Sequence, residues 1–135
     1  MQNPDMQEQL NLAKKASENG NEQKAQAILL EALRQEPHNI AGLLMLAGSM
    51  TQSEKYREAA VVFEQLSLML PSSGEVSKGL FNVLWQQELF EEALEEIRRF
   101  IQAADPEEER DTIKSYMKII ATLDKPNSEP EEAKH

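Results

Sequence analysis

The chain has 135 residues, with 14 Lys+Arg against 24 Asp+Glu for a formal net charge of −10, and it contains no Cys. That length fits one domain, and the missing thiols exclude disulfide scaffolds, thiolate zinc sites, iron–sulfur clusters and thiol nucleophiles. The acidic balance argues against a nucleic-acid partner, because phosphate affinity comes from clustered Lys/Arg.

Residues 1–5 read as a short leader without the basic and apolar regions of a signal peptide. The most apolar window, 40–50, falls far short of the roughly 20 residues needed to span a bilayer. The expectation is a soluble, cytoplasmic protein with no membrane insertion. Along the chain, apolar residues recur at the three- and four-residue intervals of a helix with one buried face. The series runs Leu10, Leu12, Ala13, Ala16, and then Ala25, Ile28, Leu29, Ala32, Leu33. No stretch alternates with period two, so the predicted class is all-α.

Helix boundaries are marked by capping residues. Asn21, Asn39 and Ser53 each precede a helical run, and Ser72 with Glu75 has the spacing of a capping box. Asp105, Pro106 and Glu107 read as N-cap, first position and acidic first turn of a last helix. Its apolar residues Ile113, Tyr116, Met117, Ile120 and Leu123 share one face. Residues 108–123 are therefore predicted to form a capping helix, and 124–135, rich in Pro and Glu, a disordered tail.

Several columns recur at one constant interval: Ala25, Ala59 and Ala93; Leu29, Phe63 and Ile97; Leu12, Leu46 and Leu80; Pro37 and Pro71. A 34-residue period with this alphabet resembles the tetratricopeptide repeat (TPR). The first repeat supplies Leu12, Ala13, Ala16, Ala25, Leu29, Ala32 and Pro37 to that pattern. The second supplies Leu43, Leu46, Ala47, Met50, Ala59, Phe63, Leu66 and Pro71. The third supplies Leu80, Leu84, Ala93, Ile97 and Phe100, but places Phe81 where the family has Gly or Ala, and Asp105 in the proline slot. The resemblance implies a right-handed solenoid of three TPR helix-turn-helix repeats, over 6–39, 40–73 and 74–107, closed by the capping helix.

Catalytic and metal-binding motifs fail. His38 sits in a predicted turn and His135 ends the chain, so no His pair has ligand spacing. Gly74 and Gly79 have the glycine spacing of a phosphate loop, but Leu80 and Phe81 stand where Lys and Ser/Thr are required. The expectation is no enzyme, no cofactor and no metal. Glu91, Glu92, Glu95 and Glu96 read as a solvated helix face, with Glu95 placed to pair with Arg99.

Binding remains. In the TPR family the first helix of each repeat lines a concave groove, and the resemblance assigns that groove here to Leu10, Lys14, Leu44, Met45, Gly48, Lys78, Asn82 and Trp85. One TPR subgroup clamps a terminal carboxylate with Lys, Asn and Arg; Leu10, Lys14, Met45, Glu75 and Gly79 stand in those slots, so the clamp is absent. The implied ligand is an apolar or extended segment of another protein, anchored on Leu44, Met45 and Trp85. Met45 and Trp85 also suit a core role. In size, acidity and repeat number the chain is similar to the chaperones of type III secretion translocators. The alternatives are a self-associating scaffold subunit, and an inhibitor or immunity protein that masks a basic partner.

Overall fold

Apolar stripes of this period bury themselves by pairing helices, and a computed structural model, which describes residues 5–124, contains seven helices and no strand among those residues. They are α1 (Met6–Glu18), α2 (Glu22–Gln35), α3 (Ile40–Gln52), α4 (Tyr56–Met69), α5 (Gly74–Gln86), α6 (Phe90–Ala103) and α7 (Arg110–Asp124). The starts of α1, α3 and α5 are spaced by exactly one repeat, and so are those of α2, α4 and α6. Each helix packs on the next, and α1 also reaches α3. The architecture is a stack of helix-turn-helix repeats with a capping helix. No helix among the described residues is long and apolar enough to cross a membrane.

Small residues set the approach of the paired helices. Ala13, Ala47, Ala25, Ala59 and Ala93 are all fully buried, with Leu29, Phe63 and Ile97 filling the space beside them. Gly79 plays a similar part between repeats, because a Cβ there would run into the ring of Phe63. The repeats are also tied by one polar column. Gln65 Nε2 donates to the Pro37 carbonyl at 3.4 Å, and one repeat later Arg99 Nη1 donates to that of Pro71 at 2.9 Å. Leu12 is exposed while its counterparts Leu46 and Leu80 are buried, since among the described residues only the latter have a preceding repeat against them.

The caps follow the sequence in part. Asn21 and Asn39 do cap α2 and α3, their side chains accepting from Lys24 N at 3.1 Å and Gly42 N at 2.8 Å. The cap of α5 is Ser73 rather than Ser72; its hydroxyl accepts from Val76 N at 3.2 Å. Ser53 does not open α4. It lies just past the end of α3 and its hydroxyl is taken by Gln26, while α4 begins after Lys55 with no side-chain cap.

Asp105 Oδ1 accepts from Glu107 N at 2.9 Å and Glu108 N at 3.2 Å, but residues 106–109 form a turn and the regular helix starts only at Arg110. The turn and the start of α7 bring Glu109 and Thr112 into the space where Gly74 has no side chain. On α7 the buried face holds Tyr116 with Ile113, Ile119 and Ile120, whereas Met117 and Leu123 are exposed. Of the expected leader and tail, 1–4 and 125–135 lie outside the described residues; Asp5 caps α1, accepting from Glu8 N at 2.8 Å.

The turns inside the three repeats share one geometry. Gly20, Glu54 and Glu88, which occupy the same position in successive repeats, have φ of 79°, 62° and 63°. Each is flanked by the paired bonds of a Schellman motif: Asn21 N to Ala16 O at 2.8 Å and Gly20 N to Ser17 O at 2.9 Å, with equivalents at Lys55/Glu54 and Leu89/Glu88. Left-handed backbone is free for glycine but costs other residues about 1 kcal/mol or more. Glu54→Gly and Glu88→Gly are therefore expected to stabilise the fold by about 0.5–1 kcal/mol each, after the extra entropy of glycine in the unfolded chain is subtracted. Urea unfolding of each variant checks this, and a loss of stability in both would contradict it.

Candidate binding groove

Where two helices meet over small residues, the surface between them stays open. Ala13 and Ser17 on α1, with Gly48 on α3, leave a cavity of about 500 Å³ between those helices, backed by α2. Leu29 and Met45 add apolar wall, and Lys14 and Glu22 add charge. Gly48 is exposed, and a Cβ built on it would meet nothing within 4 Å.

A chain of hydrogen bonds holds the walls. The Glu22 carboxylate accepts from Ser49 Oγ at 2.5 Å on one oxygen and from Ser17 Oγ at 2.7 Å on the other. Gln26 Nε2 donates to Ser49 Oγ at 3.1 Å and Ser53 Oγ at 3.0 Å, while its Oε1 accepts from Lys55 Nζ at 2.9 Å. Gln26 is only 4% exposed. A buried amide is costly unless its groups are paired, and here both ends are. The network joins α1, α2, α3 and the turn into α4, so these hydrogen bonds within the protein hold the walls of the cavity in place. Sequence reading missed Glu22, Gln26 and Ser49. The signal lay in the repeat columns, where Gln26 aligns with Ala60 and Leu94, and Ser49 with Val83.

Of the residues assigned to a groove from the sequence, Lys14, Met45 and Gly48 come together around this cavity. Leu10, at 9% exposed, belongs to the core. Leu44 is half-buried and packs onto that core, and Lys78 and Asn82 are exposed on α5 away from the cavity. Trp85 is half-buried; its ring stacks on Phe81 at 5.4 Å and meets the edge of Phe90 at 4.5 Å. It lines a separate cavity of about 280 Å³ with Lys118, Ile119, Thr122 and Leu123 of α7.

Two further polar groups depart from expectation at this end. Glu96 is not solvated with its neighbours: its side chain is 5% exposed and forms a two-point pair with Arg99, Nε to Oε1 at 2.8 Å and Nη2 to Oε2 at 2.7 Å. That bond raises the Arg99 guanidinium above its ordinary value. Glu95 pairs instead with Arg98 at 3.3 Å, one residue short of the expected Arg99, because Arg99 is already engaged. On α7, the buried Tyr116 hydroxyl lies 2.8 Å from Ser77 Oγ and locks the last helix to α5. Among the described residues no group of three or more His, Asp or Glu side chains could hold a metal ion.

No family model and no curated protein matches the chain. Solved structures do match. The MamA RS-1 ArsTM double mutant aligns with a TM-score of 0.65 at 20% identity, covering 73% of this chain and 55% of that one. MamA MSR-1 gives 0.63 at 20%, covering 70% and 54%, and a MamA AMB-1 structure gives 0.64 at 19%, covering 82% and 62%. The chain thus spans less than two thirds of the length of these proteins. At this identity the likeness is one of fold, and that fold is a TPR-like stack of helices.

Burial pushes the Tyr116 phenol up to about 12 from an ordinary 10, against the opposing pull of the Ser77 hydrogen bond. The folded protein then holds this proton more tightly than the unfolded chain. The associated stability is complete below pH 10 and is lost as pH rises towards 12. Two pH units correspond to about 2–3 kcal/mol at most. Tyr116→Phe is expected to lose roughly 1 kcal/mol at neutral pH, through the orphaned Ser77, and to show a flatter alkaline limb. Urea unfolding of both proteins between neutral pH and pH 11.5 checks this, and parallel curves would count against it.

Proposed function

We propose that the chain is a non-catalytic, cytoplasmic adaptor or chaperone that holds an apolar or extended segment of a partner protein in the concave groove of its three repeats. The observation that carries the reading is the preformed cavity between α1 and α3, with Met45 and Leu29 on its wall and Lys14 and Glu22 at hand. Apolar walls with a few convergent polar groups are what a peptide side chain and its backbone need. Met45 adapts to varied apolar shapes. Lys14 and Glu22 can meet the main-chain carbonyls and amides that an extended segment leaves unpaired. Leu44, Lys78, Asn82 and Trp85 extend the surface along α3 and α5, with Trp85 as an anchor at the α7 end. A ligand running the length of the groove would span from the first repeat to the cap, which suits a chaperone for an unfolded segment of a secreted protein.

Gly48 offers a test in which misfolding cannot mimic loss of binding. It lies in mid-helix with open space over it, so Gly48→Arg fills the groove without touching the core. It also removes a helix-interior glycine, which is expected to raise stability by about 0.7–1 kcal/mol. The affinity for partner captured from the source organism should fall at least tenfold in this variant while its melting temperature rises. Retained capture by a more stable Gly48→Arg protein would move the site to another face.

A further inference from the structure

The geometry points to a second docking surface on the opposite side of the stack, between α4 and α6, which takes a basic amphipathic segment of a partner protein. A slot of about 450 Å³ opens there over Leu80 and Leu84 of α5, walled by Leu68 of α4. Leu68 is 85% exposed, the most exposed of the large apolar residues among those described. Its counterparts in the repeats before and after are Arg34 and Gln102. The repeat therefore needs no apolar side chain at this position, and solubility disfavours one.

The rim says what would cover it. Glu64, Glu92 and Glu95 stand around the slot. All three are exposed, and only Glu95 has an ion pair among the described residues, with the exposed Arg98 at 3.3 Å. Arg99, the basic residue of the lining, is already spent on the buried Glu96 and the Pro71 carbonyl. Glu92 and Glu95 are also one helical turn apart and repel each other, a cost that an incoming cation relieves. An apolar slot ringed by unbalanced carboxylates is complementary to a helix that presents one large apolar side chain flanked by Lys or Arg. A second copy of this chain, at net charge −10, would meet the same rim with repulsion, and a phosphate-bearing ligand would fare no better.

The test titrates the full-length chain with a labelled amphipathic helix made of leucine and lysine, alongside a serine–lysine peptide of equal charge. The leucine–lysine helix is expected to bind, and more weakly as salt rises. Its affinity should fall roughly tenfold or more in Leu68→Gln, and again in the triple variant Glu64→Gln, Glu92→Gln, Glu95→Gln, as three lost charge contacts imply. A control triple of equal charge change, Glu58→Gln, Glu107→Gln, Glu108→Gln, should bind as the unsubstituted chain does. All of these residues are exposed, so circular dichroism should be unchanged throughout. Equal losses in the two triples, equal binding of the serine–lysine peptide, or indifference to Leu68→Gln would each overturn the assignment. So would a concentration-dependent doubling of mass that Leu68→Gln abolishes, since the occupant would then be a second copy.

Discussion

The close approach of paired helices over small side chains is the constraint from which the rest of the structure follows. Ala13 and Ala47 meet their partner helices with nothing larger than a methyl group, and both are fully buried. Helices held this close by short side chains leave room above the contact, which is where the α1–α3 cavity opens. The third member of the column is Phe81, too large for that interface. Its ring is turned aside to stack on Trp85 at 5.4 Å and to lie against Tyr116 at 5.8 Å. The departure from the repeat thus becomes the platform on which α7 docks, with Phe100 meeting Tyr116 edge-on at 5.7 Å. One substitution in a packing column both ends the regular stack and supplies the means of capping it.

The buried polar groups obey a similar logic. Gln26, Ser49, Ser77 and Glu96 each occupy a column whose aligned residues include a buried Ala, Val or Leu: Ala60, Val83, Leu43 and Val62. Replacing an apolar residue in a core loses stability unless every polar atom finds a partner. Ser49 bonds Gln26 and Glu22, Ser77 bonds Tyr116, and Glu96 takes both forks of Arg99. The Ser49 and Ser77 contacts join different helices, and Arg99, held by Glu96 within α6, reaches back to the Pro71 carbonyl, so a slip of one residue between helices would break these links, whereas apolar packing would tolerate the slip with a smaller loss. These groups add uniqueness of register more than they add net free energy.

The helices and their pairing were legible because Ala25, Ala59 and Ala93 repeat together with Leu29, Phe63 and Ile97, and burial at fixed intervals is what periodicity encodes. The αL turn was not read from the sequence: Gly20 carried a signal for it, whereas at Glu54 and Glu88 the surrounding hydrogen bonds impose a conformation that the residue itself disfavours. Lys14, Met45 and Gly48 could be brought together from register alone, since side chains on neighbouring helices at equivalent positions share a face. Leu10 could not be separated from them, because its burial depends on what packs against the first repeat. Glu96 was hidden for a different reason. Four glutamates in one segment look uniformly solvated, and only the position of Arg99 relative to the Pro71 loop shows that one of them turns inward.

The same periodicity decides how α5 contributes to two surfaces at once. Leu80 and Leu84, one turn apart, face the slot between α4 and α6, while Lys78, Asn82 and Trp85 lie on other sides of the helix. A helix places each side chain in one direction only, so a substitution that alters one surface leaves the other with its residues intact. Between the surfaces lies a core in which Val83 and Val76 are fully buried and Ser77 is bonded to Tyr116. Rigid packing of that kind transmits little unless it has a second arrangement to adopt, and nothing in the fixed hydrogen bonds of α5 supplies one. Ligands at the two proposed surfaces would therefore be held with independent affinities, which is the behaviour of a bridge rather than of a switch.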